Sequence, residues 1–200
     1  MGGTFDPPHL GHVVPVEAAV AEFNLDRVDF VPAFIPPHKS RPGLTDSHHR
    51  AAMVAIALQP YRRFLLSPEE LATRKVRFTV ETLTERKAKF RPEDRLFFIM
   101  GSDSFLEIET WRDYQRLIRL CEFIIIDRGD DQEVLKSKLN ELEKALQLKS
   151  GEIIHFARAP HLPISSTEIR KALQEGKSVS DWLSPGVEQY ITKHFLYHRR

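Results

Sequence analysis

The densest concentration of chemistry-bearing residues opens the chain, as Gly2-Gly3-Thr4-Phe5-Asp6-Pro7-Pro8-His9-Leu10-Gly11-His12. A glycine pair lets the backbone turn sharply and come close to a ligand, and Pro7 and Pro8 stiffen the approach to the next element. Residues 10–23 carry apolar side chains at helical spacing (Val13, Val14, Val16, Ala19, Val20, Phe23). If that helix starts near Pro8, His9 and His12 stand three residues apart in its first turn and share a face. Both rings then lie where a helix N-terminus favours anions, and Gly11 leaves room for a phosphate or a base against the backbone. A turn and a helix that merely contain two histidines would need the glycine pair, the proline pair and His-x-Gly-His to coincide.

A second cluster lies far down the chain, at Ile164-Ser165-Ser166-Thr167-Glu168-Ile169-Arg170. Its hydroxyls and backbone N–H groups fall at a helix start, and Arg170 comes within the first turns, where a guanidinium can fork onto phosphate oxygens. Standing alone, the same residues read equally well as a helix cap with a surface arginine. His38, His48 and His49 are also close in sequence, but no neighbouring carboxylate or cysteine completes a metal-binding set.

These segments need elements to position them. Residues 27–32 predict a short strand, then a proline-rich loop at 33–44. Ser47 is placed to cap a helix through Leu58, residues 64–67 predict a second strand, and 78–90 another helix. Leu96-Phe97-Phe98-Ile99-Met100 is a continuous apolar run ending at Gly101, the pattern of a strand buried on both faces, and Phe123-Ile124-Ile125-Ile126 repeats it. Helices are expected at 111–120 and at 133–148, the latter with Leu135, Leu139, Leu142 and Leu146 on one face. A last strand at 152–156, a helix at 165–174 closed by Gly176 and a terminal helix at 185–195 complete the pattern. The alternation predicts an α/β fold, a Rossmann-like doubly wound parallel sheet with helices on both faces and a small C-terminal helical part. In that fold ligands bind beyond the carboxyl ends of the strands, where the opening loop and the Gly101 turn belong.

Composition narrows the partners. With 29 basic against 28 acidic residues and a net charge of +1, the 200-residue chain has no broad basic field for a long nucleic acid, so phosphate recognition must be local. That favours small phosphorylated ligands and no nucleic acid. A single cysteine, Cys121, permits neither an internal disulfide nor a thiolate metal cluster, and beside an apolar run it reads as a packed thiol rather than a nucleophile. No apolar stretch approaches the roughly 20 residues that span a bilayer, and no signal peptide is recognisable. A cytoplasmic protein, with no membrane partner, is the expectation.

The opening segment resembles the N-terminal signature of the nucleotidylyltransferase superfamily, whose His-x-Gly-His element is shared in relaxed form with class I aminoacyl-tRNA synthetases. Its longer form is similar to that of bacterial nicotinate mononucleotide adenylyltransferases, and Ile164 to Arg170 resembles the second half of the same pattern. The resemblance implies one nucleotidyltransferase domain over 1–200, with residues 165–200 carrying the second phosphate motif. It implies that ATP is bound by Gly2, Gly3, Thr4, Phe5, His9, His12, Gly101, Asp103, Ser166, Thr167 and Arg170. Within that set, Met100-Gly101-Ser102-Asp103-Ser104 resembles the family turn in which the glycine admits adenosine and the aspartate accepts ribose hydroxyls. For the mononucleotide it implies Lys39, within Pro36-Pro37-His38-Lys39, facing the phosphate. Trp111, within Glu109-Thr110-Trp111, would stack on the nicotinate ring, bordered by Phe78 and Thr79. Phe78 replaces the usual tyrosine, keeping the ring face and losing a hydroxyl. Asp127-Arg128-Gly129 falls where the family carries an arginine-rich turn.

The activity so implied is transfer of AMP from ATP to nicotinate mononucleotide, giving nicotinate adenine dinucleotide and pyrophosphate in NAD biosynthesis. His12 would serve the α-phosphate, His9 and Arg170 the β- and γ-phosphates, and Mg²⁺ would bridge the triphosphate. A transferase acting on pantetheine phosphate or glycerol phosphate is the sister alternative, against which Trp111 and the Lys39 loop argue. A nucleotide-binding or tRNA-related module without transfer chemistry is the alternative of another class. Against a synthetase, the chain leaves little room for an anticodon domain and shows no Lys-Met-Ser-Lys-like loop. In the family a short apolar strand precedes the glycine pair, so the first strand is expected to be truncated here, with Met1 standing at a position internal to the family pattern.

Overall fold

The computed structural model describes residues 1–35, 43–127, 129–149 and 151–197. Two parallel three-stranded sheets form its centre. The first joins β1 (Gly2–Gly3), β2 (Val28–Pro32) and β3 (Phe64–Leu66) in that order. The second joins β4 (Phe97–Gly101), β5 (Glu122–Ile126) and β6 (Ile154–Ala157). Laid side by side with β1 next to β4, the strands run 3-2-1-4-5-6, the order of a doubly wound Rossmann sheet whose switch point falls between β1 and β4.

Helices cover both faces. α1 (Leu10–Glu22), α2 (Ser47–Leu58), α8 (Ser166–Gln174) and α9 (Pro185–Lys193) pack on one side, where Val16, Ala19, Met53, Ile169, Val187 and Ile191 meet Ile99, Ile124 and Ile126. α4 (Thr79–Lys87), α5 (Ser102–Leu106), α6 (Tyr114–Leu120) and α7 (Gln132–Leu146) take the other, where Val80, Phe105, Leu117 and Leu135 meet Phe98, Met100, Phe123 and Ile125. Successive residues of β4 and β5 thus enter opposite cores, which is why both runs are apolar without interruption. The expected architecture is observed.

Several boundaries differ from expectation for identifiable reasons. α1 begins at Leu10, with His9 at the capping position rather than inside the first turn, because His9 is extended and its N–H is taken by the His12 ring. The cap of α2 is Asp46, which accepts from the His48 N–H at 2.8 Å, and Ser47 is the first helical residue. Trp111 precedes its helix: a 3-10 turn (Ile108–Thr110) and a left-handed Asp113 delay α6 to Tyr114. A short α3 (Glu69–Thr73) and α5 escape detection in the sequence because five residues carry too little periodicity. Among the described residues no helix is long and apolar enough to cross a membrane.

β1 is the shortest strand, pairing only through Gly2 with Val31 and Gly3 with Pro32. Below it the half-sheets stand apart around a cavity of about 540 Å³, lined by Met1, Val28, Asp29, Leu83, Phe97 and Ile99 among others. The Met1 nitrogen reaches into this region and donates to the Asp29 carbonyl at 2.8 Å. Burial, and secondarily Arg86, pushes the amine down from 8.0 to about 5.

Candidate active site

The opening loop leaves β1 at the switch point and is held there by close contacts. Phe5 is left-handed, at φ 50°, and its ring lies over Gly3 so closely that a Cβ there would stand 2.7 Å from it. The same ring meets His12 edge-on with centroids 5.1 Å apart. His9 and His12 rings lie 3.7 Å apart and tilted by 38°. A Cβ on Gly11 would come within 3.0 Å of the His9 ring, so this glycine makes room for a histidine as well as for a ligand. His9 is buried and His12 half-buried at the mouth of the loop.

The second cluster is sewn onto the first across more than 150 residues of chain. Ser165 caps α8 by accepting from the Glu168 N–H at 3.2 Å. Ser166 Oγ donates to the Pro7 carbonyl at 2.9 Å, a contact 159 residues apart in sequence. Arg170 donates to the Asp6 carbonyl at 2.6 Å and to Thr167 Oγ1 at 3.0 Å. The arginine, the serine and threonine hydroxyls and the two histidines therefore stand around one loop. Ser165 acts as the cap, and Ser166 and Arg170 are held against the opening loop.

β4 delivers Gly101 to the same end of the sheet, where it caps α5, and Asp103 sits exposed in the first turn. A cleft of about 350 Å³ runs between these parts, lined by Gly11, Asp103, Ile126, His161, Ser165 and Glu168 among others. Its floor is ordered by polar contacts: Ser102 Oγ donates to the Asp130 carboxylate, and Asp127 accepts from the Gly129 N–H at 2.8 Å. Its volume and mixed lining suit a nucleoside.

On the other flank Phe98 links the switch point to the predicted ring-binding residues. Its ring lies 3.9 Å from where a Cβ on Gly2 would be, and it meets Trp111 edge-on at 6.1 Å. Trp111 is half-buried. Phe78 caps α4 next to Thr79, with the Arg112 guanidinium 4.6 Å over its ring. Trp111, Phe78 and Thr79 thus form one neighbourhood beside Gly2. Lys39, with the rest of 36–42, and Arg128 lie outside the described residues. His48 and His49 are turned to other work: His48 pairs with Asp46, and His49 bonds Tyr190 Oη at 2.9 Å. Among the described residues no group of three or more His, Cys, Asp or Glu could hold a metal.

Arg50 is a site residue that motif spacing does not pick out. It is fully buried beneath the opening loop and donates to the carbonyls of Thr4 (2.7 Å), Phe34 (2.7 Å) and Thr45 (3.0 Å). A signal is nonetheless present: positions 50, 53, 54 and 57 form the buried stripe of α2, and a charge on such a stripe must be paid for by partners. Cys121 is buried, and burial pushes its thiol up to about 12, which leaves it packed and unreactive as expected.

Comparison with known proteins gives the family and agrees with the fold. The cytidylyltransferase-like family pattern matches residues 1–172. A probable nicotinate-nucleotide adenylyltransferase of Thermoanaerobacter sp. (strain X514) is 38% identical, over 100% of this chain and 93% of its own. One of Moorella thermoacetica (strain ATCC 39073 / JCM 9320) is 40% identical, over 100% and 91%. The structure of Plasmodium falciparum nicotinic acid mononucleotide adenylyltransferase complexed with NaAD superposes with a TM-score of 0.77 at 26% identity, covering 98% of this chain and 94% of that one. The chain belongs to the cytidylyltransferase-like family and, within it, to the nicotinate-nucleotide adenylyltransferases.

Proposed function

We propose that the protein transfers AMP from ATP to nicotinate mononucleotide, releasing pyrophosphate and forming nicotinate adenine dinucleotide for NAD biosynthesis. The observation that carries this reading is the convergence of His9, His12, Ser166, Thr167 and Arg170 on one loop at the switch point of the sheet. The described neighbours of that loop offer a cleft on the Asp103 side and an aromatic flank at Trp111 and Phe78. Relatives named for the same reaction support it.

No protein nucleophile is required. An oxygen of the mononucleotide 5′-phosphate attacks the α-phosphorus of ATP, the bond from that phosphorus to the bridging oxygen breaks, and pyrophosphate leaves with the electron pair. Catalysis is then alignment of the two phosphates and neutralisation of growing charge. His12 donates to the α-phosphate oxygens, while His9 and Arg170 hold the β- and γ-phosphates with the hydroxyls of Ser166 and Thr167. Gly2, Gly3, Thr4 and Phe5 bring backbone close to the triphosphate, Gly101 admits the adenosine, and Asp103 accepts ribose hydroxyls. Trp111 stacks on the pyridine ring beside Phe78 and Thr79, and Lys39 meets the mononucleotide phosphate.

Mg²⁺ fits as a companion of ATP. The hydrogen-bond donors around the loop are neutral or cationic, the Asp6 carboxylate is buried against Tyr197, and Asp127 and Asp130 are engaged by Gly129 and Ser102, so the triphosphate oxygens would hold the ion. Bound there, it supplies charge neutralisation on the leaving group.

The activity is tested by pyrophosphate release with ATP and either nicotinate mononucleotide, nicotinamide mononucleotide or phosphopantetheine. Release fastest with the nicotinate acceptor is expected. Release only with phosphopantetheine, or ATP binding without turnover on any acceptor, would overturn the reading.

A further inference from the structure

Two pyridine mononucleotides, nicotinate and nicotinamide, share ribose and phosphate and differ in one group on the ring. The first carries a carboxylate, the second a neutral carboxamide. Preference between them must therefore be set where the ring lies, and its simplest physical origin is a charge. The neighbourhood proposed for the ring, Trp111 with Phe78 and Thr79, includes a cation. Arg112 follows Trp111 directly and holds its guanidinium 4.6 Å over the Phe78 ring.

The guanidinium is placed without being used up. The carboxylate paired with it, Glu81 Oε1, stands 3.9 Å away, too far for a hydrogen bond. Glu81 is held by its other oxygen, which accepts from the Phe78 N–H at 3.1 Å. Among the described residues no hydrogen bond engages the Arg112 guanidinium, and the side chain is 60% exposed. Flanking charged side chains are engaged instead: Arg77 by Glu85, Glu109 by Lys138, and Arg116 by Thr84 Oγ1 at 3.3 Å. Stacking on Phe78 thus fixes where the Arg112 charge stands, and leaves a planar fork of donors that matches a carboxylate.

We propose that the Arg112 side chain is a specificity-determining group that favours a pyridine mononucleotide bearing a ring carboxylate over one bearing a carboxamide. The inference rests on the adenylyltransferase reading for the identity of the acceptor. It requires a positive charge at this place, so the preference weakens with salt and survives replacement by another cation. Glu81, the carboxylate facing the same guanidinium, opposes it.

The test compares kcat/KM with nicotinate and nicotinamide mononucleotide, and equilibrium binding of each, in the wild type, Arg112→Gln, Arg112→Lys and Glu81→Gln. Arg112 is exposed, and glutamine at position 81 keeps an acceptor for the Phe78 N–H, so the fold should tolerate all three changes. Arg112→Gln should lower the nicotinate-to-nicotinamide ratio about three- to fivefold, through the nicotinate KM and Kd, with kcat and the nicotinamide constants changed less than about twofold. Arg112→Lys should keep most of the ratio, and Glu81→Gln should raise it about twofold. Raising salt from about 0.01 to about 1 M should lower the wild-type ratio and leave that of Arg112→Gln flat. A ratio unchanged in Arg112→Gln, or an equal loss for both acceptors, overturns the proposal. A wild type that turns over neither acceptor overturns the adenylyltransferase reading. The proposal then stands if binding favours the nicotinate form in an Arg112-dependent way, and falls if it does not.

Discussion

Strand β5 buries Phe123, Ile124, Ile125 and Ile126 between two layers of helices, whereas β1 contributes Gly2 and Gly3 and no side chain at all. Four such aliphatic and aromatic side chains are worth on the order of 6 to 12 kcal/mol of burial. β1 has none of this, and the cavity beneath it shows where packing stops. Yet the chemistry-bearing loop hangs from β1. Besides the buried Phe5 ring, what fixes it is a set of directed polar contacts from Arg50, Ser166, Arg170 and Tyr197, drawn from α2, α8 and the turn after α9. The β4 to β6 half is held by area, the β1 end largely by directed contacts, and the proposed phosphate site needs the second kind of hold because its donors must be aimed.

That contrast can be broken in several places. His12→Ala should reduce turnover by about 10²- to 10³-fold or more while leaving mononucleotide binding within a few-fold, because the lost donor acts on developing charge. Steady-state kinetics and titration check this, and near-normal turnover would contradict the assignment. In the other half, Ile124→Ala should leave the site's chemistry intact and cost about 2 to 5 kcal/mol of stability, read by denaturant unfolding, because the residue is fully enclosed.

Ser165→Ala should cost about 1 kcal/mol through loss of the α8 cap, with a small rise in the ATP KM as Ser166 and Arg170 shift. The smallest effect belongs to Cys121, which thiol reagents should leave unmodified in the native protein.

The same contrast governs how much is legible in the sequence. The uninterrupted runs of β4 and β5 announce a doubly covered parallel sheet, because burial on both faces leaves no polar alternation. His9, His12, Ser166 and Arg170 can be picked out because glycines, prolines and helix caps mark local backbone geometry. His9 caps α1 instead of sharing its first turn with His12 because the ring of His12 takes the His9 N–H, a contact between side chain and backbone that periodicity does not carry. Asp6 and Tyr197 are invisible as a pair because their hydrogen bond spans 191 positions. Arg50 is legible in principle, as a charge on an otherwise apolar stripe, but its partners are backbone carbonyls that leave no trace in residue identity.

The central claim is that two segments more than 150 residues apart form one phosphate site on the opening loop. A crystal structure with the α,β-methylene analogue of ATP tests it most directly. The account predicts phosphate oxygens within hydrogen-bond distance of both the His12 ring and the Arg170 guanidinium. A triphosphate that touches neither, or lies away from the loop between β1 and α1, would contradict it.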